Sequence, residues 1–197
     1  MAAPLVYVMG PSGAGKDSVL ARARVLLPDD APVVFAHRYI TRPAEAGGEN
    51  HVALSAAEFR MRREHGLFAF HWQAHGNEYG IGSEIRAWRR IGLTVVVSGS
   101  REHFRTLTGA DRDVHPVLIT APPDRLAERL AVRGRETAQE AAARLQRGDA
   151  YDVSDPRLFT IMNDGALEAA ADALVKFLAI LGCPAVVRHR ACTAPAG

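Results

Sequence analysis

A ten-residue stretch near the N-terminus, Met9-Gly10-Pro11-Ser12-Gly13-Ala14-Gly15-Lys16-Asp17-Ser18, constrains this chain more than any other. An apolar run, Leu5 to Met9, precedes it, and a segment of helical character, Asp17 to Leu27, follows it. Strand, glycine-rich turn, lysine and helix, in that order, make a phosphate-binding loop. The glycines let backbone N–H groups converge on phosphate oxygens, and the helix N-terminus adds partial positive charge. The rival reading, a glycine turn with an incidental lysine, is weakened because the chain holds only two lysines, Lys16 and Lys176. Gly10, Pro11, Ser12, Gly13, Ala14, Gly15, Lys16, Asp17 and Ser18 are therefore candidate contacts of ATP, with Lys16 reaching its β- and γ-phosphates.

The length of 197 residues suits one domain over 1–190, with a flexible tail over 191–197. A net charge of +2 is too small to announce a nucleic-acid partner. All but two of the 24 basic residues are arginine, which a GC-rich genome or bidentate phosphate binding would equally explain. No basic leader segment and no apolar run of membrane-spanning length appear, so the expectation is a cytoplasmic protein without a membrane partner. Cys183 and Cys192 lack metal-ligand spacing and read as free thiols.

Five apolar runs, beginning near Leu5, Val33, Leu93, Val114 and Leu158, alternate with helical segments. That alternation predicts an α/β fold: a five-stranded parallel sheet with helices on both faces, its core formed by 1–37 and 83–190. Residues 38–82 break the pattern. They hold a capping-box helix from Ser55 to about His65, then short strands over Leu67–Trp72 and Glu78–Ile81 around the turn His75-Gly76-Asn77. This stretch reads as an inserted substrate lobe, with Phe70 and Trp72 in its core. A helix from Pro122 to about Arg133, a break at Gly134 and a second helix over Thr137–Ala150 read as a lid over about 133–147. Ligands of such sheets sit at the carboxyl ends of the strands, where the glycine loop, His37, Arg38, Ser98 and Asn163 all fall.

Three groups of residues carry candidate chemistry. Where the usual loop has Ser or Thr after the lysine to hold magnesium, this chain has Asp17, and the strand 93–97 ends in Ser98 rather than the usual aspartate. Asp17 is thus the candidate Mg2+ ligand, since magnesium needs only one carboxylate beside substrate phosphates. It could alternatively be a first-turn acid favouring the helix dipole. Arg129, Arg133, Arg135, Arg144 and Arg147 flank the lid. Arg129 and Asn163 are candidate nucleotide contacts, and Arg133 and Arg144 join Lys16 as candidate catalytic groups that neutralise charge on the transferred phosphoryl group. The alternative is a solvated helix pair balanced by Glu136 and Glu140. His37, Arg38, Thr41, Arg42, Asn50, His51, Tyr79 and Ser98 are the candidate acceptor contacts. No histidine or cysteine cluster has metal-ligand spacing.

These segments together resemble the nucleoside-monophosphate kinase group, above all guanylate kinases, on Gly10–Lys16, Thr41-Arg42, Gly48-Glu49, His75-Gly76-Asn77, Tyr79-Gly80, Arg133-Gly134 and Asn163-Asp164. The departures matter more. Glu45 stands where those kinases carry a second arginine, Phe70 falls near the place of their guanine-reading acid, and Ser98 replaces their strand-ending aspartate. A phenyl ring accepts no hydrogen bond from guanine, so the resemblance implies phosphate binding kept and guanine reading lost. Lys16-Asp17-Ser18, His37-Arg38-Tyr39-Ile40-Thr41-Arg42, Glu49 to Ser55, Ser98 to Arg101, Arg133 to Glu136 and Asn163-Asp164-Gly165 resemble the ribose 1,5-bisphosphate phosphokinases of bacterial phosphonate metabolism. That resemblance implies transfer of the ATP γ-phosphoryl group to the 1-phosphate of ribose 1,5-bisphosphate, with Mg2+ as cofactor. The alternatives are a true guanylate or other nucleoside-monophosphate kinase and an inactive guanylate-kinase-like binding module. The latter would be expected to have a decayed glycine loop or a lost lysine.

Overall fold

The computed structural model describes residues 2–44, 51–107, 113–132 and 153–181. The expected second lid helix, Arg133, Arg135, Arg144 and Arg147, the loop holding Asn50, both cysteines and the C-terminal tail lie outside the described residues. The chain divides into two compact units, Met1–Val6 with Val33–Ser98, and Tyr7–Pro32 with Gly99–Gly197.

The parallel sheet follows the five apolar runs: β1 (Leu5–Met9), β2 (Val33–Phe35), β7 (Thr94–Ser98), β8 (His115–Thr120) and β9 (Phe159–Met162), in the order β2-β7-β1-β8-β9. Every residue of β1 and β7 is buried, as continuous apolar strands covered on both faces must be. In one unit β2 pairs with β7 in parallel, Val34 opposite Val95. In the other, β8 pairs with β9, Ile119 opposite Ile161, and α1 (Lys16–Leu26) packs on α6 (Leu167–Ile180). The apolar stripe of α6, Ala170, Ala171, Leu174 and Leu178, is wholly buried at helical spacing.

Residues 38–82 form a second sheet of four strands, not the two read from sequence: β3 (Arg38–Ile40), β4 (His51–Ala53), β5 (Phe68–Ala74) and β6 (Asn77–Gly82), in the order β4-β3-β6-β5. The two unforeseen strands are three residues long and begin with Arg38 and His51, too short and too polar for an alternation signal. Between β5 and β6 the chain turns on His75 (φ 50°) and Gly76 (φ 73°), with Ala74 opposite Asn77. Two successive positive φ values define a primed turn, whose twist suits a tight hairpin. The helix α2 (Ala56–Glu64) begins where the capping box places it, the Glu58 N–H donating to Ser55 Oγ at 3.1 Å. It lays Phe59 against Phe68, with Leu54 and Tyr39 beside them. Burying Phe59 contributes about 1.5–3 kcal/mol. Three further helices, α3 (Glu84–Arg90), α4 (Arg101–Thr106) and α5 (Pro123–Val132), complete the described elements.

Candidate active site

The loop after β1 can only be built with glycines. A Cβ on Gly10 would enter the backbone carbonyl of Ile119 on β8, so the loop passes against the neighbouring strand where no side chain fits. Gly13 and Gly15 take φ values of +86° and +76°, a region costly for residues with a Cβ. Gly15 is the N-cap of α1 and no side chain caps that end, leaving the first turn of N–H groups for an anion. Ser18 is exposed.

Three side chains gather around this loop. Lys16 Nζ donates to Asp17 Oδ1 at 2.9 Å, with the lysine 12% and the aspartate 39% exposed. Asp17 therefore holds the ammonium beside the site while keeping a solvent-facing carboxylate. Asn163, at the end of β9, is 5% exposed. Its Nδ2 donates to the Ala14 carbonyl at 2.8 Å, and its own backbone N–H donates to Thr120 at 2.7 Å. Asn163 is a candidate nucleotide contact from its place after the strand, and the structure bonds its amide to the loop, fixing the loop's course. Arg129 reaches the same place from α5. A Cβ on Gly15 would lie 3.8 Å from its Nη1, and that nitrogen is buried with no hydrogen-bond partner among the described residues. A buried guanidinium N–H without an acceptor beside a glycine cradle fits a phosphate oxygen.

Behind the loop, Tyr7 of β1 is fully buried yet its hydroxyl is well served. It donates to the Ser100 carbonyl at 3.2 Å, accepts the Ser100 N–H at 3.2 Å and lies 2.9 Å from His103 Nδ1. Gly99 has no room for a Cβ, because the Tyr7 ring occupies that space. Tyr7 thus anchors the turn that begins α4. Sequence reasoning missed this role because a tyrosine in an apolar run reads as core.

The other unit contains the described acceptor candidates, of which Arg38, His51 and Tyr79 lie on one face of the four-stranded sheet. The register aligns two rows across the strands: Phe70, Ile81, Arg38 and His51 in one, and Trp72, Tyr79, Ile40 and Ala53 in the next. Tyr79 stacks on Trp72 with ring centroids 5.5 Å apart and planes 7° apart, and the Arg38 guanidinium lies 5.7 Å from the Tyr79 centroid. Phe70 is core, as read, but Trp72 is half-buried and forms the base of this stack. Thr41 is fixed to β6 from both sides: its N–H donates to the Glu78 carbonyl at 3.1 Å and its Oγ1 accepts the Glu78 N–H at 2.8 Å. His51 Nε2–H donates to the Arg42 carbonyl at 3.2 Å. His37 is exposed, whereas Ser98, the last residue of β7, is buried.

Three carboxylates among the described residues serve the opposite face. Glu78 pairs with Arg63 at 3.0 Å, Glu58 with Arg62 at 2.7 Å, and Glu84 accepts from the Tyr39 hydroxyl at 3.3 Å. Burial raises the Tyr39 pKa above its ordinary value, and the nearby Glu84 carboxylate adds to the rise. Neither row of the acceptor face contains a carboxylate.

Comparison with known proteins decides between the kinases this geometry allows. A protein of Desulfomicrobium baculatum named ribose 1,5-bisphosphate phosphokinase PhnN is 55% identical over 170 residues, covering 86% of this chain and 91% of its own. The chain belongs to the ribose 1,5-bisphosphate phosphokinase family. A relative of the same name from Thiobacillus denitrificans is 47% identical over 174 residues, 88% of this chain and 92% of its own. No protein-family model matches the sequence. Among solved structures, guanylate kinase from Anaplasma phagocytophilum superposes with a TM-score of 0.66 over 91% of this chain and 86% of its own, at 18% identity. That likeness shows the fold, a guanylate-kinase-like P-loop α/β architecture, and places this phosphokinase family on it.

Proposed function

We propose that this chain transfers the ATP γ-phosphoryl group to the 1-phosphate of ribose 1,5-bisphosphate, forming 5-phosphoribosyl 1-diphosphate and ADP. The observation that carries the reading is the 55% identity over nearly the whole length of a ribose 1,5-bisphosphate phosphokinase, and the side chains agree with it. A phosphate monoester has a second pKa near ~6, so the attacking oxygen is already an anion at neutral pH. A catalytic base is then unnecessary, in keeping with two strand rows of the acceptor face that hold no carboxylate among the described residues. The task is to bring two polyanions together. Lys16 and Arg129 neutralise the triphosphate, and the arginines of the 133–147 segment, Arg133 and Arg144 among them, are assigned to the transferred phosphoryl group.

Asp17 is the carboxylate assigned to Mg2+. Its oxygen chemistry fits, and one carboxylate with substrate phosphates satisfies that ion. The ion's contribution would be to offset charge on the β- and γ-phosphates. On the acceptor side, Arg38, Arg42, His51 and Tyr79 hold the sugar bisphosphate, and Phe70 gives a purine nothing to bond. No helix among the described residues is long and apolar enough to cross a membrane, as suits an enzyme of small polar metabolites. The test is ADP release measured with ribose 1,5-bisphosphate, GMP and AMP in parallel. Turnover of the bisphosphate alone is expected. Robust turnover of GMP with none of the bisphosphate would overturn the proposal.

A further inference from the structure

Tyr79 combines a closely held ring with an open hydroxyl. It lies on β6, between β3 and β5 in the second sheet. Trp72 of β5 stands directly opposite it, and the two rings stack with centroids 5.5 Å and planes 7° apart, within the range of favourable aromatic pairs. From the β3 side the Arg38 guanidinium lies over the same ring, 5.7 Å from its centroid. The strand beneath is fixed as well. A Cβ on the next residue, Gly80, would stand 2.6 Å from the Phe68 ring, so β6 lies close on Phe68 at its other face. Tyr79 is 8% exposed. Its hydroxyl makes no hydrogen bond among the described residues and is not shut off from solvent. A buried ring with an open hydroxyl presents one hydrogen-bonding group in one fixed place. Trp72 is half-buried and lies outside the cluster of Leu54, Phe59, Phe68 and Tyr39, so what its plane supports is the Tyr79 ring.

We infer that Trp72 is a positioning residue: it holds the Tyr79 ring so that the hydroxyl donates to a phosphate oxygen of the acceptor. The inference rests on the ribose 1,5-bisphosphate reading above and adds to it a residue that acts through another. A donor fixed before the acceptor arrives loses little rotational freedom on binding, so more of its bond appears as affinity. Without the indole plane the phenol gains room to turn, and its hydroxyl leaves the place where the phosphate oxygen sits. The role requires a flat ring at position 72. An aliphatic side chain fills space there without setting the plane.

The test is a double-variant cycle on the unaltered protein, W72F, W72L, Y79F and W72L/Y79F. Binding of ribose 1,5-bisphosphate is read by calorimetry with ADP present, so that no phosphoryl transfer occurs. Y79F should raise the Kd at least about tenfold, the loss expected for one hydrogen bond to a charged group. W72L should raise it at least about threefold, as ordering one freed side chain on binding implies. W72F keeps a ring plane and should stay within about twofold of the unaltered protein, which guards against loss of the fold at this position. In W72L/Y79F the hydroxyl is already gone, so the Kd should match that of Y79F within about twofold. A merely structural tryptophan would weaken binding by the same factor with or without the hydroxyl, and the two single effects would multiply. Multiplied effects, an unchanged Kd in W72L or in Y79F, or a W72F as weak as W72L overturns the assignment. Failure of the reaction reading is distinct: it shows in the unaltered protein, as no binding of the bisphosphate or no ADP release from ATP with it, and the assignment falls with it.

Discussion

The contact between Asn163 and the phosphate loop should show as a measurable non-additivity. In N163A the Ala14 carbonyl, accepting at 2.8 Å in the folded protein, is left buried without its donor, at a cost of about 1–3 kcal/mol. For a chain of this size each kcal/mol lowers Tm by about 2–4 °C. In G15A two terms add. Alanine at φ +76° is strained by about 1–2 kcal/mol, and its Cβ would stand 2.5 Å from Asn163 Nδ2, so the amide must move and its bond to Ala14 is lost as well. In the double variant the amide is absent, so only the backbone strain remains to be added to the N163A loss. The double variant should therefore be more stable than the sum of the single losses predicts, by about 1 kcal/mol or more. Thermal unfolding of the four proteins measures this, and the KM for ATP should rise in both single variants as the loop shifts. Additivity within about 0.5 kcal/mol would show that the Gly15 Cβ and the amide do not compete for the same space, refuting the reasoning.

Other consequences can be checked with single substitutions. D17N should raise the Mg2+ concentration needed for half-maximal turnover several-fold while the protein still folds; an unchanged magnesium titration would remove Asp17 from the metal site. Y7F strips the hydroxyl of a fully buried tyrosine from a part-buried network with Ser100 and His103 and should lower stability by about 1–3 kcal/mol, read as Tm. R129A should raise the KM for ATP and leave acceptor affinity alone, and equal effects on both substrates would contradict its place beside Gly15. Because the folded-state pKa of Tyr39 is raised, chiefly by burial, the unfolded chain loses that proton first. Stability present below the unfolded tyrosine pKa, near ~10, is thus lost as pH rises through the folded value, and Y39F should lessen that alkaline loss in denaturant titrations.

The parallel sheet was legible in the sequence because each of its strands is a continuous apolar run, and the glycine loop was legible because its geometry admits so few residues. Gly10 against the Ile119 carbonyl is a case where backbone crowding writes itself into the residue type. The lobe was harder. Arg38-Tyr39-Ile40 and His51-Val52-Ala53 are strands because β6 supplies a template beside β3 and β3 one beside β4, and three-residue segments carry no period of their own. The role of Asn163 was hidden for another reason. A polar residue after a strand reads as a ligand contact, and only its burial and its bond to Ala14, 149 residues away, reveal a support.

Charge placement explains why this architecture can phosphorylate a phosphate. A kinase for a hydroxyl acceptor needs a carboxylate poised to take a proton, and that carboxylate would repel an acceptor that is already a dianion. In this lobe Glu78 is turned to Arg63 and Glu84 to the Tyr39 hydroxyl, and the two strand rows that carry Arg38, His51 and Tyr79 hold no carboxylate. The carboxylate by the phosphate loop, Asp17, is paired with Lys16, so it brings negative charge to the nucleotide side only together with a cation. Introducing an acid on the acceptor face should therefore be harmful even where it fits sterically. Ile40 lies in the Tyr79 row and is fully buried, which makes it a poor site, but Ala53 of the same row is exposed on an edge strand. A53E should leave Tm nearly unchanged and raise the KM for ribose 1,5-bisphosphate in a salt-dependent way, while A53Q, of the same shape without the charge, should not. Equal effects of the two substitutions would mean that shape rather than charge governs this face, and the electrostatic account of acceptor choice would fail.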